Sequence, residues 1–272
     1  MRRRALLYAD PSPRGEWALG AACLLAPKVI ESLTVLATEE DLRAAPDLLE
    51  RMAAPIAAQG VPCTTQARPG PAEAALVAQA RAQSPDLVIV PPAGRNAIQR
   101  MLRGSRIATV VRQVNSDVLV ARRPPARVGH VLGCLSGGDL TERVAEQTVE
   151  LAQALGAGAT LLHVASEVRI QGATEGEGAS GPTWKPSLRV LEAFQPLRHR
   201  CALRIREGLV VDEVVREADS LACDLVVIGE TRSPEGSRWL REDVTERILL
   251  QLATSVLVLR RPHGAAAPSD AR

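Results

Sequence analysis

The chain contains two copies of one sequence pattern, and this internal repeat constrains the fold more than any other feature. DLVIV at residues 86–90 recurs as DLVVI at 224–228, and SDVLVAR at 116–122 recurs as TSVLVLR at 254–260. Both pairs are separated by 138 residues. The repeat predicts two similar domains in tandem, each folding by the same rules.

Upstream of these markers, SLTVLA at 32–37 aligns with TLLHVA at 160–165 at an offset of 128. The change of offset predicts ten extra residues in the second copy, within the Gly-, Ser- and Pro-rich segment 167–187, which is typical of a surface loop. The Pro-containing stretch RRPPAR at 122–127 indicates a short linker. We therefore expect one domain over residues 1–123, a second over 127–262 and a flexible tail over 263–272.

Within each copy, short apolar strands alternate with segments of helical periodicity. The first copy predicts strands near 4–9, 32–37, 61–67, 86–90 and 117–122, and helices that include 72–81 and 107–114. Val/Leu/Ile-rich strands that alternate with helices are typical of a parallel sheet covered on both faces. The predicted fold class is α/β, with two doubly wound, five-stranded, Rossmann-like domains in tandem.

Composition excludes several classes of function. The formal net charge is +2 with both signs interleaved, and only five residues are aromatic, so nucleic acid is not an expected partner. Lys28 and Lys185 are the only lysines and neither lies in a Gly-rich loop, which excludes a Walker-type phosphate loop. The apolar run at the start ends at Asp10, so we expect no signal peptide, no membrane partner and a cytoplasmic location.

Cysteine and histidine spacing gives no sign of a metal site. The five cysteines show no CxxC pair and the four histidines no HxxxH pair. We expect buried thiols in a reducing compartment and no bound structural metal. His163 is predicted to be a packed residue of a strand rather than a general base.

In a doubly wound sheet, ligands bind beyond the carboxyl ends of the strands where the strand order reverses. The candidate segments are therefore those that follow the first, second and fourth strands of each copy. They are Asp10, 36–38 and 91–105 in the first copy, and Ser136, 164–166 and 229–243 in the second.

The segment after the fourth strand reads PPAGRNAIQRMLRGS and keeps Gly94, nine residues, Gly104 and Ser105. Glycines let a backbone approach phosphate oxygens, and the helix that follows offers free N–H groups. The segment resembles the G-2x-G-9x-G-[ST] motif of the universal stress protein family. The resemblance extends over both copies, through Asp10, LLHV at 161–164, REG at 206–208 and the final VLVLR. The chain is identified as a tandem member of that family.

The resemblance implies a non-catalytic stress-response protein that binds ATP, with Mg²⁺, in its first domain and hydrolyses it slowly at most. Asp10 would lie near the base and ribose, and the backbone around Leu36 would lie beside the adenine. The phosphates would meet Gly94, Gly104 and Ser105 together with the arginines Arg95, Arg100 and Arg103. Pro91 departs from the family pattern, since it stands where the motif has its first glycine and it has no backbone N–H to donate.

The second copy departs further from the motif. At the offset of 138, Arg232, Glu242 and Asp243 replace the two glycines and the serine, and Ser136 replaces Asp10. Two carboxylates at the phosphate positions would repel a nucleotide. We expect the second copy to have lost its site and to pack against the first as an internal dimer partner, with the strands at 117–122 and 255–260 as the pairing edges.

Two other functions compete with nucleotide binding. The main competitor is an interaction or structural module that binds no nucleotide and acts through a protein signalling partner or a homodimer. The other is an enzyme like the N-type ATP pyrophosphatases, because SGGD at 136–139 resembles their SGGxDS loop. Here Asp139 follows Gly138 directly, which turns its carboxylate by about 100° around the helix start. The enzyme is therefore disfavoured, and no catalytic residue is assigned.

Overall fold

Strands and helices alternate along both copies in the computed structural model, which describes residues 2–38, 45–92, 110, 113–165, 187–230 and 244–261. The elements of the first copy are β1 Arg3–Tyr8, α1 Gly15–Leu25, β2 Ile30–Thr38, α2 Ala45–Ala57, β3 Cys63–Arg68, α3 Ala72–Gln83, β4 Leu87–Val90 and β5 Asp117–Val120. All five predicted strands of this copy are present, as is the helix predicted over 72–81. Most of the helix predicted over 107–114 lies outside the described residues, as does the tail 263–272.

The second copy repeats the same succession of elements. They are β6 His130–Leu135, α4 Thr141–Leu155, β7 Gly158–Ala165, α5 Leu188–Phe194 with a 3₁₀ turn at Gln195–Leu197, β8 Ala202–Glu207, α6 Val210–Ser220, β9 Leu225–Gly229, α7 Val244–Gln251 and β10 Ser255–Leu259. All but the last residue of the predicted surface loop 167–187 lies outside the described residues. None of the helices in the described ranges is both long and apolar enough to cross a bilayer.

The strands form one continuous sheet in the order β3-β2-β1-β4-β5-β10-β9-β6-β7-β8. Each half has the doubly wound order with parallel neighbours, which confirms the predicted fold class. The halves meet where β5 and β10 pair antiparallel, with Leu119 opposite Leu257. The predicted pairing of the two last strands is therefore confirmed, and it joins the two five-stranded sheets into one of ten strands.

Two apolar layers cover the sheet, and each one contains residues of both copies. One layer lies under α1, α2, α4 and α5 and includes Leu119 and Leu257 at the junction. The other lies under α3, α6 and α7 and includes Val118 and Val258. Because successive side chains of a strand point to opposite faces, β5 and β10 contribute to both layers. The second copy thus packs against the first through a continuous core.

A buried polar cluster also joins the copies, and we call Arg3, Asp117, Arg143 and Gln147 the junction cluster. The Asp117 carboxylate accepts hydrogen bonds from Arg3 Nη1 at 2.8 Å and from both terminal nitrogens of Arg143 at 2.8 and 2.9 Å. Arg3 also donates to the Gln147 side chain. Arg3 and Asp117 are 2% and 3% exposed, so the buried charge of Arg3 is neutralised by Asp117. No motif or spacing in the sequence predicted this cluster.

The strand registers correct the alignment of the two copies. Leu36 of β2 is paired with Gln66, and Leu162 of β7 is paired with Arg204. Gln66 and Arg204 are 138 residues apart, whereas Leu36 and Leu162 are 126 apart. The predicted offset of 128 for this strand is therefore wrong by two residues, and the second copy carries twelve extra residues after β7 rather than ten.

Candidate functional site

The carboxyl end of β1 brings together two of the predicted site residues. Asp10 lies two residues after the end of β1, at the point where the strand order reverses. Tyr8 is paired with Leu36 in the neighbouring strand, and the next amide, Ala9 N–H, donates to the Leu36 carbonyl oxygen at 2.8 Å. The Leu36 side chain is fully buried in the core. Leu36 can therefore reach a ligand at this edge of the sheet only through its backbone.

The Asp10 carboxylate also shapes the turn that leads into α1. Its Oδ1 accepts the Ser12 N–H at 2.8 Å, which closes a turn of the Asx type. The side chain is half-buried. A carboxylate has about four lone-pair positions, and this turn uses one of them. Asp10 can therefore hold the turn and accept hydroxyl groups from a ligand at the same time.

The other predicted phosphate contacts, Gly94, Arg95, Gly104 and Ser105, lie outside the described residues, as do Arg100 and Arg103. The structure describes the strand that leads into this loop. Val90 ends β4 and its carbonyl oxygen accepts the Ala121 N–H at 2.9 Å. Pro91 and Pro92 follow and are both buried. The first two residues of the loop are thus buried within the fold.

Ser136 occupies in the second copy the position of Asp10 in the first. Its hydroxyl oxygen accepts the Gly138 N–H at 3.2 Å, as Asp10 accepts that of Ser12. The helices that follow begin at Gly15 and Thr141, which keeps the offset of 126. SGGD therefore forms the turn that Asp10-Pro11-Ser12-Pro13 forms in the first copy.

Asp139, the acidic residue of the SGGD stretch, lies between two arginines. Its Oδ1 is 3.1 Å from Arg189 Nη1, and its Oδ2 is 2.5 Å from Arg261 Nη2. A carboxylate held between two guanidinium groups is neutralised within the protein. This arrangement gives Asp139 a role in holding the turn against α5 and the end of β10.

The second copy fills the space over its own fourth strand. A Cβ placed on Gly229, the residue equivalent to Pro91, would lie 3.0 Å from Leu140 Cβ and 3.5 Å from Val144. Leu140 is itself buried. An apolar side chain therefore covers the glycine that the family motif uses for close approach to a ligand.

The corrected register changes which residue of β2 matches the LLHV stretch of the second copy. At an offset of 126, Val164 corresponds to Thr38 and Leu36 corresponds to Leu162. Thr38 is the last residue of β2 and is fully buried. Thr38, two positions beyond Leu36, therefore stands at the carboxyl end of β2, the edge of the sheet where a ligand is predicted.

His163 is a packed residue of the second copy. His163 is 7% exposed and its Nδ1 donates to the Leu135 carbonyl oxygen at 2.8 Å, so the predicted packed role is confirmed. A search of the described part of the chain finds no group of three or more His, Cys, Asp or Glu side chains arranged to hold a metal ion.

Burial makes the five free thiols poor nucleophiles. It raises the pKa of Cys134 and of Cys223 to about 12, and it also raises the pKa of Cys23, Cys63 and Cys201. We expect iodoacetamide at pH 8 to label Cys134 and Cys223 slowly in the folded protein and all five cysteines rapidly in urea, because the thiolate is the reacting form. Mass spectrometry of tryptic peptides would measure this. Rapid labelling of Cys134 in the folded protein would contradict the assignment.

Comparison with known proteins agrees with this architecture. The sequence profile described as the Universal stress protein family matches residues 1–122 and again residues 128–260. No curated protein matches the chain significantly. A universal stress protein from Archaeoglobus fulgidus DSM 4304 superposes with a TM-score of 0.76 at 15% identity, covering 96% of this chain and 97% of that one. A functionally unknown protein from Pseudomonas aeruginosa PAO1 superposes with a TM-score of 0.69 at 18% identity, covering 95% of this chain and 92% of that one. At such low sequence identity, these superpositions show that the fold is shared and do not assign a function. Because the family profile matches twice in succession, this chain belongs to the universal stress protein family and contains two copies of its domain.

Proposed function

We propose that this chain is a regulatory stress-response protein that binds ATP, with Mg²⁺, at the carboxyl edge of its first copy. The observation that carries the proposal is the position of Asp10 at the end of β1, where the strand order reverses. A carboxylate at this point is suited to accept hydrogen bonds from ribose hydroxyl groups. In this proposal hydrolysis is slow and incidental, and the protein acts by binding.

The loop after β4 supplies the phosphate contacts in this proposal. Gly94, Gly104 and Ser105 keep the spacing of the family motif, and Arg95 lies next to the first of these glycines. The family profile spans this loop, since it matches residues 1–122. Pro91 removes one backbone donor from the loop, so we expect weaker binding than an intact motif would give.

The second copy serves as a packing partner and not as a second nucleotide site. Leu140 covers Gly229, and Ser136 lacks the charge of Asp10. The pairing of β5 with β10 supports the same assignment, since it buries the edge strand that each copy would otherwise expose. A single ATP per chain is the expected stoichiometry.

The first experiment asks whether a nucleotide is bound at all. The protein is purified and heat-denatured, the released nucleotides are identified by mass spectrometry, and ATP is titrated by calorimetry into wild type and Gly104→Asp. We expect one ATP per wild-type chain and no saturable binding to Gly104→Asp, because an acidic side chain at this position would repel the phosphates. If wild type binds no nucleotide, the interaction module that the buried Pro91 favours becomes the better assignment.

Exchanging the equivalent residues of the two copies tests the role of Asp10. Asp10→Ser keeps an acceptor for the Ser12 N–H but removes the charge, so we expect the Kd for ATP to rise about tenfold from the loss of a charged hydrogen bond. The matched variant Ser136→Asp should bind ATP with unchanged affinity and stoichiometry. Calorimetry measures both, and a second ATP bound by Ser136→Asp would show that the second site persists.

A further inference from the structure

The last strand of each copy is followed by two arginines, and those of the second copy are neutralised within the protein. Arg260 Nη1 lies 2.5 Å from Glu230 Oε2, and both side chains are 5% exposed. Arg261 Nη2 lies 2.5 Å from Asp139 Oδ2. In the second copy, the positive charge at this edge of the sheet is therefore neutralised by carboxylates of the same copy.

The first copy keeps the arginines but lacks the carboxylates. Arg122 and Arg123 correspond to Arg260 and Arg261 at the offset of 138. Glu230 corresponds at the same offset to Pro92, and Asp139 corresponds at the offset of 126 to Pro13. Among the described residues, no carboxylate forms an ion pair with Arg122 or Arg123, and Arg123 stacks its guanidinium 5.7 Å from the centre of the Trp17 ring.

Arg122 is held in place but not fully satisfied. Its backbone N–H donates to Ser255 Oγ at 2.9 Å, and its Nη2 donates to the Leu249 carbonyl oxygen of the second copy. Its Nε is buried and has no hydrogen-bond partner in the part of the chain that the structure describes. What distinguishes Arg122 from Arg260 is that none of the described carboxylates forms an ion pair with it.

A third arginine, Arg14, lies at the start of α1, and its charge acts on Arg122. Burial and the nearby charge of Arg14 both lower the pKa of the Arg122 guanidinium. Arg14 is equivalent to Leu140, which in the second copy lies against Gly229. By the same equivalence, we expect Arg14 to lie near Pro91, the residue that follows β4. Like charges brought together in this way repel each other unless an anion lies between them.

The position of these groups relates them to Asp10. Ala121 N–H donates to the Val90 carbonyl oxygen, so Arg122 follows at the same edge of the sheet as Pro91. Arg14 lies four residues after Asp10, at the N-cap of α1. The strands β1, β4 and β5 are adjacent in the sheet, so their carboxyl ends meet at one edge.

We propose that Arg14, Arg122 and Arg123, which we call the arginine cluster, bind phosphoryl oxygens at the carboxyl edge of the first copy. In a nucleotide complex these oxygens are those of the phosphate tail, and to that extent the inference rests on the proposed function. Guanidinium groups match phosphate oxygens in geometry and in charge. The two prolines that replace carboxylates leave this positive charge available to a ligand.

Titration with sodium tripolyphosphate tests the cluster without a nucleoside, and parallel titrations use ATP and adenosine. We expect Arg14→Gln and Arg122→Gln each to weaken tripolyphosphate and ATP binding about tenfold, with adenosine binding unchanged. Arg261→Gln is the matched control, because this arginine is already paired with Asp139. It should bind all three probes as wild type does.

Pro13→Asp tests the same cluster while every arginine remains. Pro13 is exposed, and aspartate there copies the carboxylate of Asp139 in the second copy. We expect weaker tripolyphosphate binding with an unchanged melting temperature. If these substitutions leave the affinities for tripolyphosphate and ATP unchanged, or wild type binds neither, the arginine cluster is not a phosphate site.

The same titrations separate this inference from the proposed function. Tripolyphosphate that binds through the arginines, without any binding of ATP or adenosine, would support the cluster and reject the nucleotide site. ATP that binds wild type and the arginine variants equally would support the nucleotide site and reject the cluster. Melting curves of every variant show whether a loss of affinity reflects a loss of fold.

Discussion

Replacing Asp117 with alanine is expected to lower the free energy of unfolding by about 3–5 kcal/mol, the cost of breaking a buried ion pair by removing one partner. Asp117 neutralises Arg3, which is buried with it, and it is also held by Arg143 of the second copy. Its Oδ1 further accepts the Arg260 N–H at 2.8 Å. The substitution would leave a buried guanidinium without a carboxylate at the junction of the two copies. Urea denaturation followed by circular dichroism measures the change.

Ser255 provides the matched control, because it occupies the position of Asp117 in the second copy. Its hydroxyl group accepts the Arg122 N–H at 2.9 Å and donates to the Arg122 carbonyl oxygen at 3.1 Å. Ser255→Ala removes these neutral hydrogen bonds and should cost only about 1 kcal/mol. Equal losses for Asp117→Ala and Ser255→Ala would mean that the junction cluster adds no more stability than a hydroxyl group.

Much of the fold could be predicted because the repeat and the apolar strands carry the necessary information. DVLV and SVLVL are buried at every position in β5 and β10, as expected for strands covered on both faces. The position of Asp10 at a strand end followed from the same pattern, because polarity returns where the apolar run of β1 stops. The pairing of β5 with β10 came from the family resemblance, and the structure confirms it.

The alignment of β2 with β7 failed for a physical reason. Side chains of a strand alternate between two faces, so a shift of two residues keeps every residue on its original face. Val35 and Leu161 both belong to the layer under α1 and α4, and they would remain on that side under either alignment. The choice of register depends on backbone hydrogen bonds between strands, which single-letter similarity does not record.

The polar clusters could not be predicted because their members come from distant parts of the chain. Arg3 and Arg143 are 140 residues apart, and in the sequence each resembles an ordinary surface charge. One signal was available in the repeat itself, since the aligned pair Asp117 and Ser255 differs in charge within a buried strand. Differences between repeats at buried or neutralised positions indicate where two copies have taken separate roles.

Replacing Gly15 with alanine is expected to destabilise the protein by about 3 kcal/mol, the upper range for a side chain forced into a packed site. A Cβ at this position would lie 1.8 Å from the Asp10 carbonyl oxygen, so the start of α1 or the backbone of Asp10 has to move. Helix propensity alone would favour alanine by about 1 kcal/mol, so the sign of the change distinguishes the two effects.

The control is Gly138→Ala. Its Cβ would meet Ser136 Oγ at 3.4 Å, an ordinary contact, so the free energy of unfolding should change by less than about 0.5 kcal/mol. Thermal and urea unfolding of both variants measure the difference. A Gly15→Ala protein as stable as wild type would mean that the start of α1 moves away from Asp10 without a loss of stability. The equivalent position of the second copy, Thr141, carries a side chain.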